Sequence, residues 1–108
     1  MARIARRYDL YLPLADNSGR PFSDSAFDGV ERKLLQRFGG LTSNQRQFPL
    51  RGIWEGAGRL FLDQVVIMTV FDFRRQGSAS FIARLKEDLL REFKQLEIFI
   101  TEESLRVH

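Results

Sequence analysis

The 108-residue chain reads as an α+β domain of ferredoxin-like βαββαβ order: a four-stranded antiparallel sheet with two helices on one face. Three observations predict it. Residues 23–40 and 81–95 carry apolar side chains at helical spacing. Residues 8–14 and 96–107 alternate apolar and polar side chains, the period of a half-buried strand. Between the helices, 50–55 and 59–73 flank "GAG", a hairpin signal. The order strand, helix, strand, strand, helix, strand is that of a split βαβ domain. The right-handed crossover rule places both helices on the same side of the sheet.

Each element has a local reason. In 8–14, Tyr8, Leu10, Leu12 and Leu14 fall on one face, and Asp9, Tyr11 and Pro13 on the other. "ADNSGRP" (15–21) is dense in turn residues. Helix one takes Ser23 or Asp24 as its cap, repeats Ala26, Val30 and Leu34 on its stripe, and stops at Gly39–Gly40. Pro49 donates no backbone hydrogen bond, so the strand after it belongs at a sheet edge. Gly56 and Gly58 supply the backbone freedom of the hairpin turn, and Trp54 and Phe61 are placed to pack across it. Helix two, capped by Ser78 or Ser80, aligns Ile82, Leu85, Leu89 and Phe93. The last strand turns Leu96, Ile98 and Ile100 inward and Glu97, Phe99 and Thr101 outward.

Length and composition fit a single domain, 1–108, with residues 1–7 as a basic N-terminal arm. Ten phenylalanines imply a core or interface built on large aromatic areas. The absence of cysteine excludes disulfides, thiolate nucleophiles and cysteine metal sites. The one histidine is His108, so neither zinc nor a histidine-based triad is expected. "GGLT" and "GAG" lack the strand–loop–helix context of a phosphate cradle. No cofactor and no metal are expected. The N-terminus has no signal-length apolar run, and "VVIM" is far short of the roughly 20 residues of a membrane span, so a cytoplasmic protein with no membrane partner is expected. The net charge of +3 is matched by Arg3, Arg6 and Arg7 alone.

The second face of the sheet is the informative one. Residues 59–73 are apolar on both sides: Val65, Ile67 and Phe71 on one, Val66, Met68 and Val70 on the other. A strand apolar on both faces expects cover on both. Tyr11 and Phe99 lie on the outward side of neighbouring strands. Three coverings compete: a second subunit, stacked nucleic-acid bases, or a small apolar ligand. The first makes the protein a homodimer or larger homo-oligomer. The second uses Arg3, Arg6, Arg7, Arg74 and Arg75 with Tyr11, Phe71 and Phe99, although no RNA-recognition motif is present.

Catalytic candidates reduce to carboxylates. Asp9, Glu55, Asp63 and Asp72 lie on or near strands, and pairing of the first and third strands brings Asp9 towards Asp72. Solvated acids paired with arginine are the competing reading, with Arg51 the expected partner of Asp63. The runs "YDLYLPLADNSGRP", "RFGGLT", "GIWEGAGRLFLDQ" and "EIFI" resemble a group of small uncharacterised bacterial proteins. That resemblance implies a ferredoxin-like domain of dimeric α+β barrel type. It favours Asp9, Asn17, Gly19, Gly40, Trp54 and Asp63 as site positions. The leading expectation is a non-catalytic, homo-oligomeric binding or regulatory module that associates through the helix-free face. The alternatives are a nucleic-acid binder, and a small enzyme with Trp54 as a pocket wall and Asp63 or Asp9 as the base.

Overall fold

The structure is a computed structural model and describes residues 2–108. It is an α+β fold of two helices and a five-stranded antiparallel sheet: β1 (Arg3–Pro13), α1 (Asp24–Phe38), β2 (Thr42–Ser43), β3 (Leu50–Gly56), β4 (Arg59–Asp72), α2 (Ala79–Glu92) and β5 (Ile100–Val107). The fourteen residues of β4 form the spine. One edge carries β1, from Pro13 opposite Val65 to Arg6 opposite Asp72. The other carries β2 opposite Met68 and Thr69, and β3 opposite residues 59–65. β5 pairs with the outer edge of β1.

Five strands stand where four are expected. The segment between β2 and β3 turns at Gln45–Phe48, closed by the Phe48 N–H on the Gln45 carbonyl at 2.9 Å, and Pro49 then removes a ladder donor. Asn44 bridges the break. Its side-chain oxygen accepts from the Ile67 N–H at 2.9 Å, and its amide donates to the Phe48 carbonyl at 3.0 Å. A side chain thus satisfies backbone groups of β4 and the turn that the interrupted ladder leaves free.

Both helices cover one face. Phe27, Val30 and Leu34 of α1 meet Leu85 and Leu89 of α2 and Phe93 just beyond it, above Tyr8, Leu10 and Leu12 of β1 and Val66, Met68 and Val70 of β4. These are the alternating residues that the sequence pattern turns inward. Each fully buried side chain of this size contributes about 1.5–3 kcal/mol relative to exposure. Ser23 caps α1, accepting from the Ala26 N–H at 3.3 Å, and Gly39 closes it at φ 80°.

Four details differ from expectation. The basic arm is strand: Arg3 to Arg7 form the first half of β1, laid along Val107 to Glu103 of β5. The left-handed residues of the hairpin turn are Ala57 (φ 53°) and Gly58 (φ 73°), as a two-residue turn with both φ positive requires, while Gly56 ends β3. Leu96 is 99% exposed instead of inward. Lys94 at φ 49° and the Gln95 N–H on the Leu90 carbonyl turn the chain out of α2, so alternation resumes only at buried Ile98. Finally, Asp9 and Asp72 do not approach each other. Asp9 pairs in register with Thr69 and Asp72 with Arg6, three positions apart and on opposite faces. No described helix is long and apolar enough to cross a membrane.

Candidate small-molecule cleft on the helix-free face

The helix-free face is where the sequence leaves apolar residues without a partner. On it, register places Asp9, Tyr11 and Pro13 of β1 beside Thr69, Ile67 and Val65 of β4. Further along, Asp63 and Phe61 of β4 lie opposite Gly52 and Trp54 of β3. The Tyr11 N–H donates to the Phe99 carbonyl at 3.0 Å, which brings the lead-in to β5 alongside.

Three of the expected binding residues converge. Trp54 and Phe99 meet edge to face with centroids 5.5 Å apart, and Phe99 meets Tyr11 in the same manner at 6.4 Å. They wall a cleft of about 350 Å³ that Pro13 and Val65 floor and that Glu55, Asp63, Gln95 and Glu97 rim. That volume is within the range of small-ligand sites, roughly 300–1,000 Å³. A hollow of about 590 Å³ adjoins it along the 14–19 loop, and Pro13 and Asp63 border both. Asn17 and Gly19 line this neighbour, whereas Gly40 lines neither.

The rim is acidic, and its carboxylates differ. Glu97 accepts from Lys86 at 2.9 Å, which holds its carboxyl below the usual range. Asp63 has no ion-pair or hydrogen-bond partner among the described residues. Arg51, the expected partner, lies in register with Gln64 and points to the opposite side of the hairpin. Glu55 likewise has no basic partner among the described residues. The acids are spread around the rim; no described group of three or more is gathered closely enough to hold a metal ion.

Guanidinium groups stack on aromatic rings at four places: Arg3 on Phe73, Arg37 on Phe81, Arg46 on Phe27 and Arg59 on Phe61. Among the described residues, none covers Tyr11, Trp54 or Phe99. The cleft therefore presents aromatic rings that no described guanidinium covers next to unpaired Asp63, an arrangement that attracts a cation carried on a flat or apolar body.

The other expected site residues lie elsewhere. Phe71 shares the face but sits four positions along β4 from Ile67, Tyr11's neighbour, or about 13 Å away at strand rise. Arg7 pairs with Asp9 at 3.2 Å, and the Thr69 hydroxyl donates to the same carboxylate, so Asp9 is satisfied rather than poised as a base. Arg6 points to the helix side, its guanidinium against Gly77. Of the basic residues of β1, Arg7 lies opposite Phe71 on the helix-free face, while Arg6 lies on the helix side. Gln95 and Glu97 are site residues that sequence reasoning missed. They reach the rim through the turn at Lys94, which has no signature beyond the end of the helical pattern.

No family model matches the chain, and no curated protein matches it. Among solved structures, the chain is similar to a phage SAM lyase in complex with S-methyl-5'-thioadenosine. The TM-score is 0.63 at 12% identity, over 95% of this chain and 88% of the other. At that identity the likeness speaks for a shared fold.

Proposed function

We propose that the protein is a homo-oligomeric small-molecule-binding module whose site is the Tyr11–Trp54–Phe99 cleft, and that its ligand joins a flat ring to a positive charge. The observation that carries this is the convergence of three aromatic rings, none covered by a described guanidinium, beside unpaired Asp63. Adenosyl sulfonium compounds match that description; the structural neighbour, by its name a SAM lyase, supports that class, and its bound S-methyl-5'-thioadenosine supports the adenosyl part. Reading β2 and β3 as one strand broken at Gln45–Pro49 turns the sheet order into 2-3-1-4, that of a ferredoxin-like domain. The exposed apolar side chains outside the cleft supply the surface for a second copy.

Calorimetric titration with SAM and with neutral S-methyl-5'-thioadenosine tests this reading. Tighter binding of the cation, by about the 0.5–2 kcal/mol of a cation–aromatic contact, supports it. Equal binding, or none, overturns it. A second reading is a small enzyme that acts on such a ligand, favoured by the one observation that Asp63 lines the cleft with no partner among the described residues. Its test is chromatographic: SAM consumed by the native chain and spared by Asp63→Asn.

A further inference from the structure

β3 is paired along one edge only. Leu50–Gly56 bonds to β4, and its other edge, with no described strand beside it, presents the backbone N–H and C=O groups of alternate residues. A free edge of that length is a template for another strand. The side chains say which strand fits. Arg51, Ile53 and Glu55 lie on one side of β3. Their charges read plus, apolar, minus, an order that is its own complement when the strand is reversed. In an antiparallel pair of two copies centred on Ile53, Arg51 of each chain faces Glu55 of the other, and Ile53 faces Ile53. Opposite charges directly across a strand pair are favourable and like charges unfavourable.

The surroundings point the same way. On the Ile53 side of the hairpin, register adds Leu60 and Leu62, 70% and 67% exposed, because the helices do not extend over this end of β4. With Ile53, half exposed, they form an apolar patch on the side of the hairpin where Arg51 and Glu55 lie, the kind of surface that a partner covers. The free edge of β5 has a similar charge order, Glu102 and Arg106 about Ser104. It has a hydroxyl where β3 has Ile53, and Ile4 is its one exposed large apolar neighbour in register.

We infer that two copies of the chain join β3 to β3 about a two-fold axis at Ile53, making one continuous sheet across the dimer. This rests on the self-association in the reading above and is independent of the ligand class. Sedimentation and light scattering on full-length variants test it. The native chain is expected to be a dimer at micromolar concentration. Arg51→Glu and Glu55→Arg each set like charges across the axis and raise the dissociation constant by at least about tenfold. The two variants mixed form a heterodimer, and the double exchange in one chain restores the homodimer. Arg106→Glu, on the β5 edge, leaves the dimer intact. A strictly monomeric native chain, or a dimer that Arg51→Glu spares and Arg106→Glu breaks, overturns the inference. SAM titration of Arg51→Glu keeps the two readings apart, since Arg51 does not line the cleft: a monomer that still binds SAM supports the edge and leaves the cleft standing.

Discussion

The two ends of β4 hold two carboxylates in opposite situations. Asp72, at the C-terminal end, is 1% exposed and fully engaged. The Ser78 hydroxyl donates to it at 2.5 Å, the Arg74 N–H at 3.0 Å and the Arg74 guanidinium at 3.3 Å, while Arg37 donates to Ser78 from behind. Ser78 occupies the cap position of α2 but spends its hydroxyl on Asp72 rather than on the helix. Asp63, near the N-terminal end, is exposed, has no partner among the described residues, and lies opposite Gly52, diagonal to Trp54, with which it lines the cleft. The first acid ties β4, α1 and α2 together. The second holds nothing together, yet stands beside the partly exposed aromatics of the cleft. A carboxylate that stabilises nothing visible in the fold is the better candidate for a ligand.

The comparison predicts opposite responses to mutation. Asp72→Ala leaves Ser78 and Arg74 without their acceptor and is expected to cost about 2–3 kcal/mol in a denaturant titration, as loss of the charged acceptor from a buried hydrogen-bond network does. Asp63→Asn is expected to stay within about 0.5 kcal/mol of the native chain, as surface changes do. If both substitutions cost the same, the division between the two ends fails.

Acid should act at the Asp72 end. Burial alone would raise the Asp72 carboxyl, but the Ser78 hydroxyl, the Arg74 N–H and its guanidinium outweigh burial and hold it below the ordinary carboxylate range. A carboxyl depressed in the folded state contributes stability that is present above its unfolded pKa, about 3.9, and lost as pH falls through the folded value. Stability is therefore expected to fall in acid below about pH 4, and Asp72→Asn to lose that limb of the urea-midpoint profile.

Two smaller effects sharpen the picture. An added Cβ at Gly52 would meet the Trp54 indole nitrogen at 2.9 Å, so Gly52→Ala should turn the indole and change SAM binding by a few-fold while the melting temperature barely moves. Tyr8 is 1% exposed, with a hydroxyl that finds no hydrogen-bond partner. Burial first, then the Glu102 carboxylate, push its pKa up. Removing an unpaired buried hydroxyl costs little, so Tyr8→Phe should be neutral or slightly stabilising at pH 7. Because the Tyr8 pKa is raised, its contribution is full below the unfolded value, about 10, and lost as pH rises through the folded one, a loss that Tyr8→Phe abolishes.

The helices and the inward faces of β1 and β4 were legible because one period governs many residues: Tyr8, Leu10, Leu12, Val66, Met68 and Val70 all bury as alternation dictates. The hairpin was legible from its turn residues, although the left-handed pair proved to be Ala57–Gly58. The break between β2 and β3 was not, because it depends on Asn44 reaching β4 from 23 residues away. Tyr11, Trp54 and Phe99 were legible one by one as outward aromatics. Their convergence depends on strand order and on the turn at Lys94, which no local pattern encodes. Asp63's lack of a partner was hidden for a similar reason. Arg51 is near in sequence, but a one-residue register offset puts it on the other face.

Trp54 is the only tryptophan, so its fluorescence reports on the cleft directly. Titrating SAM into the native chain and into Asp63→Asn tests the central claim. A saturable change in Trp54 emission is expected, with affinity about tenfold weaker in Asp63→Asn, or roughly 1.4 kcal/mol. S-methyl-5'-thioadenosine should bind the two proteins alike. An emission unchanged by either compound, or a SAM affinity indifferent to Asp63, would contradict it.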